Sequence, residues 1–141
     1  MTSTIDILIS DFELLDDWEE RYRYVIELGR GLPAMPDALK SPATKVNGCA
    51  SQVWIYSRVG EDHLHLTGDS DALIVKGLIA IAFMIFEPLS LGEIAKVDAQ
   101  AIFARLGLKD HLTPQRSNGL ASMVARIKTD AAAELQAGNH Q

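Results

Sequence analysis

The chain carries one cysteine, Cys49, in the stretch Lys45-Val46-Asn47-Gly48-Cys49-Ala50-Ser51-Gln52-Val53-Trp54. A lone thiol can attack, be attacked, or carry a group. It can also be inert, because free cysteines are often buried as small hydrophobes. Local context leaves the reactive and inert readings in balance. Asn47, Gly48, Ser51 and Gln52 make a polar turn, and functional side chains tend to sit on loops held by rigid elements. Lys45 and Arg58 lie close in sequence, and a nearby cation favours the thiolate.

A thiol hydrolase or acyltransferase would need a histidine base beside the cysteine and a third group to orient it. His140 lies in a tail expected to fray. His63 and His65 alternate on the polar side of a strand, and His111 sits in the loop Lys109-Asp110-His111-Leu112. A stand-alone cysteine-dependent hydrolase or transferase using His63, His65 or His111 is therefore the alternative reading, and a binding module with an incidental cysteine is a third. His63-x-His65 offers two metal ligands with no cysteine or carboxylate cluster to complete a site. An iron–sulfur cluster takes several thiolates, and one cysteine cannot supply them. With no glycine-rich phosphate loop, dinucleotide fingerprint or HExxH motif, no cofactor and no metal are expected.

The composition narrows the field further. At 141 residues, 48% hydrophobic and 23% charged, the chain reads as a single globular domain, 1–141. Nineteen acidic residues outnumber 13 basic ones for a net charge of −6, and the basic residues are scattered, so no nucleic-acid partner is expected. The most apolar run, residues 72–86, contains Lys76 and is shorter than the ~20 residues of a membrane span, so no membrane association is expected. The start, MTSTIDILISDFELLDD, carries acids where a secretory signal carries basic residues. One cysteine does not call for an oxidising compartment. The expected location is cytoplasmic.

These residues need elements to hold them. Ile5, Leu8, Ile9, Phe12 and Leu15 recur at helical spacing. A second helix starts at Asp16 or Asp17, with Trp18, Tyr22, Val25 and Gly29 inward, and ends at Gly31, Pro33 and Pro36. Residues 31–44 read as an irregular connection. Residues 53–59 and 63–67 read as an antiparallel hairpin turning at Gly60-Glu61-Asp62, and residues 43–46 as a short third strand entering an Asn47-Gly48 turn. Gly68 to Asp71 supply cap residues for an apolar helix over 72–86, stopped by Pro88. Ser90-x-x-Glu93 and Asp98 open two short helices, Gly107 caps the second, and Thr113-Pro114 opens the last, with Leu120, Met123, Val124, Ile127 and Ala131 inward. The fold class is α+β: a small antiparallel sheet of two to three strands packed against five or six helices.

Four blocks resemble the SufE family of sulfur acceptors, in order and spacing across nearly the whole chain. They are Trp18 to Gly29, Gly48-Cys49-Ala50-Ser51-Gln52-Val53-Trp54, Gly68 through Lys76 to Leu78, and Leu112-Thr113-Pro114-Gln115-Arg116-Ser117-Asn118-Gly119-Leu120. Ala50 departs from the polar or acidic residue of familiar members, and Ser51-Gln52 matches the Suf-type branch rather than the Csd-type. The resemblance implies a carrier rather than an enzyme with turnover alone. Cys49 would accept persulfide sulfur from a pyridoxal-phosphate cysteine desulfurase, activate that enzyme, and pass the sulfur to an iron–sulfur scaffold complex. It implies that Gly48, Ser51, Asp71 and Arg116 face the partner, with Asp71 also readable as a helix cap. A homodimer is left open. The thiol is expected to have a sheltered state and an extended one.

Overall fold

In this computed structural model the described residues are 4–49 and 51–139. The chain runs through α1 (Thr4–Glu13), α2 (Trp18–Arg30), a 3-10 turn (Asp37–Leu39), β1 (Val53–Gly60), β2 (His63–Ser70) and α3 (Leu73–Phe86). It continues through α4 (Leu91–Lys96), α5 (Ala99–Arg105), the single turn α6 (Leu108–His111) and α7 (Pro114–Asn139). The α+β class holds. The turn α6 occupies what the sequence reads as the His111 loop. The tail expected to fray is helical as far as Asn139, and His140 and Gln141 lie outside the described residues.

Local chemistry sets the helix starts. Asp17 caps α2 by accepting from Glu19 N at 3.0 Å. Ser90 and Glu93 form a reciprocal capping box on α4, and Asp98 caps α5. Gly107, at φ 76°, takes the left-handed conformation just beyond α5.

The two strands pair from Gly60↔His63 to Val53↔Ser70. Glu61 and Asp62, at φ 53° and 65°, give the turn the twist that a two-residue hairpin connection requires. The proposed third strand shrinks to one bridge, Lys45 to Trp54, with Val46 N donating to Val53 O at 2.8 Å and Ile55 N to Thr44 O at 2.9 Å. The Asn47-Gly48 turn leads the backbone away before a second bridge forms.

β2 extends past Thr67 to Ser70, because pairing back to Val53 draws Gly68, Asp69 and Ser70 into the ladder. Those residues are strand, not helix caps. Ala72 occupies the cap position of α3 without a side-chain hydrogen bond of its own. Asp69 instead bridges Lys40 at 2.8 Å and Lys76 at 3.3 Å, tying the irregular connection to β2 and α3.

Helix α3 is the core element, buried at Ile74, Val75, Leu78, Ile79, Ile81, Phe83, Ile85 and Phe86, as its nearly all-round apolar sequence demands. It crosses α2 where Gly29 and Gly77 meet. A Cβ on Gly29 would lie 2.6 Å from Gly77 N, and one on Gly77 would collide with Val25 O. Among the described residues no helix is long and apolar enough to cross a membrane.

Candidate functional site

The site is assembled where the β1 approach, the start of α3 and the start of α7 converge. Asn47 and Gly48 make the turn before Cys49. Gly48 is at φ 91°, and a Cβ there would sit 2.7 Å from Ser122 Oγ of α7. The positive φ therefore favours glycine beside the thiol, while Ser122 Oγ would have to turn aside for a Cβ.

Cys49 is half-buried, and its thiol points at the Gly119 carbonyl with Sγ 3.6 Å from the oxygen. Gly119 is itself buried inside α7. A Cβ added there would make ordinary van der Waals contact, 3.4 to 3.7 Å from Sγ, Cβ and Cα of Cys49. The loop thus rests against this turn of α7. After the loop, Gln52 is held by Asp71: Gln52 N donates to Asp71 Oδ1 at 3.0 Å, and Asp71 N to Gln52 O at 3.4 Å. Asp71 thus staples the exit of the cysteine loop to the β2–α3 junction and does not cap α3.

The thiol opens onto a pocket of about 220 Å³. Cys49 and Ser51 line it from the loop, Val75 and Leu78 from α3, and Thr113, Gln115, Arg116, Gly119, Leu120 and Met123 from the start of α7. The sequence-named residues Cys49, Ser51 and Arg116 therefore share one cavity. Gly48 and Asp71 flank it through the backbone turn and the loop exit.

Arg116 is half-buried, and its N–H donates to Thr113 Oγ1 at 3.3 Å. Among the described residues no carboxylate pairs with its guanidinium. Lys45 and Arg58 do not line the pocket, which overturns the expectation that they favour the thiolate. Lys45 bridges to Trp54, and Arg58 is exposed on β1 opposite His65.

Burial instead pushes the Cys49 thiol above the ordinary cysteine range. Folding thereby favours the protonated thiol. That preference is complete below the unfolded-state pKa and is lost as pH rises through the folded-state value.

No described histidine lines the cavity. His63 Nδ1 lies 2.9 Å from Leu89 O. His65 packs near Gly60, and His111 stacks on Trp18 with ring centroids 4.4 Å apart. Among the described residues no cluster of three metal-ligating side chains occurs.

The sequence reading passed over Gly119 as an individual residue, though it lies in a matched block. Its signal was legible, because a glycine inside a helix costs about 1 kcal/mol relative to alanine. Val75 and Leu78 gave no signal beyond ordinary core.

The family model SufE, described as an Fe-S metabolism associated domain, matches residues 6–131. A SufE-like protein of Rhizobium meliloti (strain 1021) is 50% identical over 141 residues, covering 97% of this chain and 100% of its own. One from Rhizobium etli is 48% identical over 133 residues, covering 92% and 90%. The solution structure of a hypothetical protein from Thermus thermophilus has the same fold, with a TM-score of 0.77 at 19% identity over 94% of this chain and 96% of that one. The chain, matched over most of its length and with its one thiol set in this pocket, belongs to the SufE family of Fe–S metabolism.

Proposed function

We propose that the protein is the sulfur acceptor and activator of a pyridoxal-phosphate cysteine desulfurase. It would carry persulfide sulfur on Cys49 to an iron–sulfur scaffold complex, in the cytoplasm. The observation that carries this reading is the placement of the thiol. It is the chain's one cysteine, on a short loop between two fixed points, over a pocket that holds a cation with no carboxylate partner among the described residues and is lined by no described histidine. A hydrolase needs a resident base. Sulfur exchange needs an attacking thiolate, a sulfane sulfur and a leaving thiolate.

In the reaction the Cys49 thiolate attacks the terminal sulfur of the desulfurase persulfide. The new bond is Cys49 Sγ to that sulfur. The bond broken joins it to the desulfurase cysteine, which leaves as thiolate and takes up the proton that Cys49 gave to solvent. No electron is gained or lost overall. The raised thiol pKa fits a resting state in which Cys49 is protonated and sheltered, with ionisation favoured once the loop leaves the helix. Gly48 provides the swivel, and Ser51, Asp71 and Arg116 face the partner.

Titrating the protein into a desulfurase supplied with free cysteine tests this. Alanine production is expected to rise and saturate, and a flat titration with a cognate enzyme contradicts the reading. Arg116→Ala belongs in the same titration. Losing a charged hydrogen-bonding group from a contact is worth ~1.5–3 kcal/mol, so stimulation at sub-saturating protein is expected to fall roughly ten- to hundredfold with the melting temperature unchanged. A large drop in melting temperature would instead assign Arg116 to the fold.

A further inference from the structure

Arg126 of α7 lies about one helical turn beyond Met123 of the pocket lining, does not itself line the pocket and has no part in the proposed transfer. Its Nη2 donates to Ala43 O at 2.5 Å, and its Nη1 lies 3.4 Å from Lys45 O. Asp130, one turn further on, orients the guanidinium by accepting from Nε at 3.2 and 3.3 Å. Asp130 also accepts from Ser57 of β1 at 2.7 Å. The guanidinium fork thus spans the carbonyls on either side of Thr44, a geometry that a lysine ammonium does not reproduce.

The clamped segment is the entry stem of the cysteine loop. Thr44 is buried, with its hydroxyl donating to Leu39 O at 2.6 Å, and Val46 N donates to Val53 O on β1. At the exit, Gln52 is held by Asp71. Between these points, among the described residues, Cys49 packs against the core and makes a long sulfur hydrogen bond to Gly119 O, and Gly48 sits over Ser122. Gly119, Ser122 and Arg126 all belong to α7. The helix that forms the thiol's resting place is therefore the helix that grips the stem.

We propose that Arg126 is a positioning residue for Cys49, locking the entry stem of the cysteine loop to α7 so that the thiol settles against Gly119. Its consequence for sulfur transfer rests on the function proposed above, while its effect on the thiol's shelter does not. Ala43 and Lys45 are exposed, so water replaces the guanidinium when it is removed and the fold persists. What is lost is the registry of stem and helix, and with it the closed population of the loop.

The test uses the whole protein without any desulfurase. Alkylation of Cys49 by iodoacetamide is followed across a pH series for wild type and Arg126→Gln, with deuterium exchange over residues 46–53 and a thermal melt. Arg126→Gln is expected to react about fivefold faster or more, through a larger open population. Its pH midpoint should shift down toward that of free cysteine, and exchange protection over the loop should fall. Arg126→Lys should lie between the two.

Lys128→Gln is the control. Lys128 Nζ donates to Val97 O at 2.7 Å from the same helix, away from the loop, so its loss should leave the thiol unchanged. Reactivity of Arg126→Gln within about twofold of wild type, or an equal change in Lys128→Gln, overturns the proposal. If Arg126→Gln does not fold, Arg126→Lys decides on the same readout. A protein that shows these differences yet takes no sulfur from a desulfurase would leave the clamp standing and remove the function.

Discussion

Cys49→Ser is expected to abolish desulfurase stimulation, reducing alanine production to that of the enzyme alone. A serine hydroxyl is nearly isosteric with the thiol and still donates to the Gly119 carbonyl that Cys49 Sγ faces. The fold should therefore change by less than about 1 kcal/mol, since the substitution adds no cavity and no unpaired buried group. The chemistry does not survive. The attacking species in sulfur exchange is a thiolate, and a serine hydroxyl does not ionise at neutral pH or give a persulfide. Matched melting curves with a flat titration are the expected pair. Stimulation that persists in Cys49→Ser would instead make the protein a binding module whose cysteine is incidental.

Gly77→Ala is expected to be the most destabilising small substitution in the core. Within a helix, alanine is favoured over glycine by about 1 kcal/mol, so propensity alone predicts a gain. At Gly77 the new Cβ would collide with Val25 O and lie 2.5 Å from Val25 Cγ1, and the carbonyl belongs to the backbone of α2. A backbone atom cannot turn aside as a side chain does, so α2 must move off α3, the core helix. Overpacking of this kind costs about 3 kcal/mol or more, which lowers the melting temperature by roughly 10 °C in a domain of this size. Gly92→Ala provides the opposite sign, because nothing lies within 4 Å of its added Cβ on α4. A scanning calorimetry comparison checks both. A Gly77→Ala protein as stable as wild type would show that the α2–α3 contact is looser than these distances state.

Periodicity and cap chemistry made most of the fold legible in the sequence. The apolar run 72–86 is nearly all core, Ser90 and Glu93 form their capping box, and Gly107 sits at a positive φ. The errors fall where tertiary pairing competes with local signals. Gly68 to Ser70 look like cap residues, yet the ladder to β1 takes them as strand. Residues 43–46 look like a third strand, but the turn at Gly48 ends the pairing after one bridge.

The site divides in the same way. Cys49, Ser51 and Arg116 are distant in sequence, and no spacing rule joins residues 49 and 116; the resemblance to a family named both, and the pocket unites them. Lys45 was the cation nearest in sequence, but it does not line the thiol's pocket, and burial rather than a cation shifts the thiol. The grip of Arg126 on two carbonyls leaves no sequence signal, because backbone acceptors carry no residue identity. The staple from Asp71 to Gln52 is hidden for the same reason, since an aspartate before a helix reads first as a cap.

Acceptance of sulfur by Cys49 as a persulfide can be read directly. Its most direct test is the intact mass of the protein under non-reducing conditions after incubation with a cysteine desulfurase and free cysteine. The expected result is a gain of one or more sulfur atoms, localised to the peptide containing Cys49, removed by reductant and missing in Cys49→Ser. An unchanged mass with a competent cognate desulfurase would contradict it.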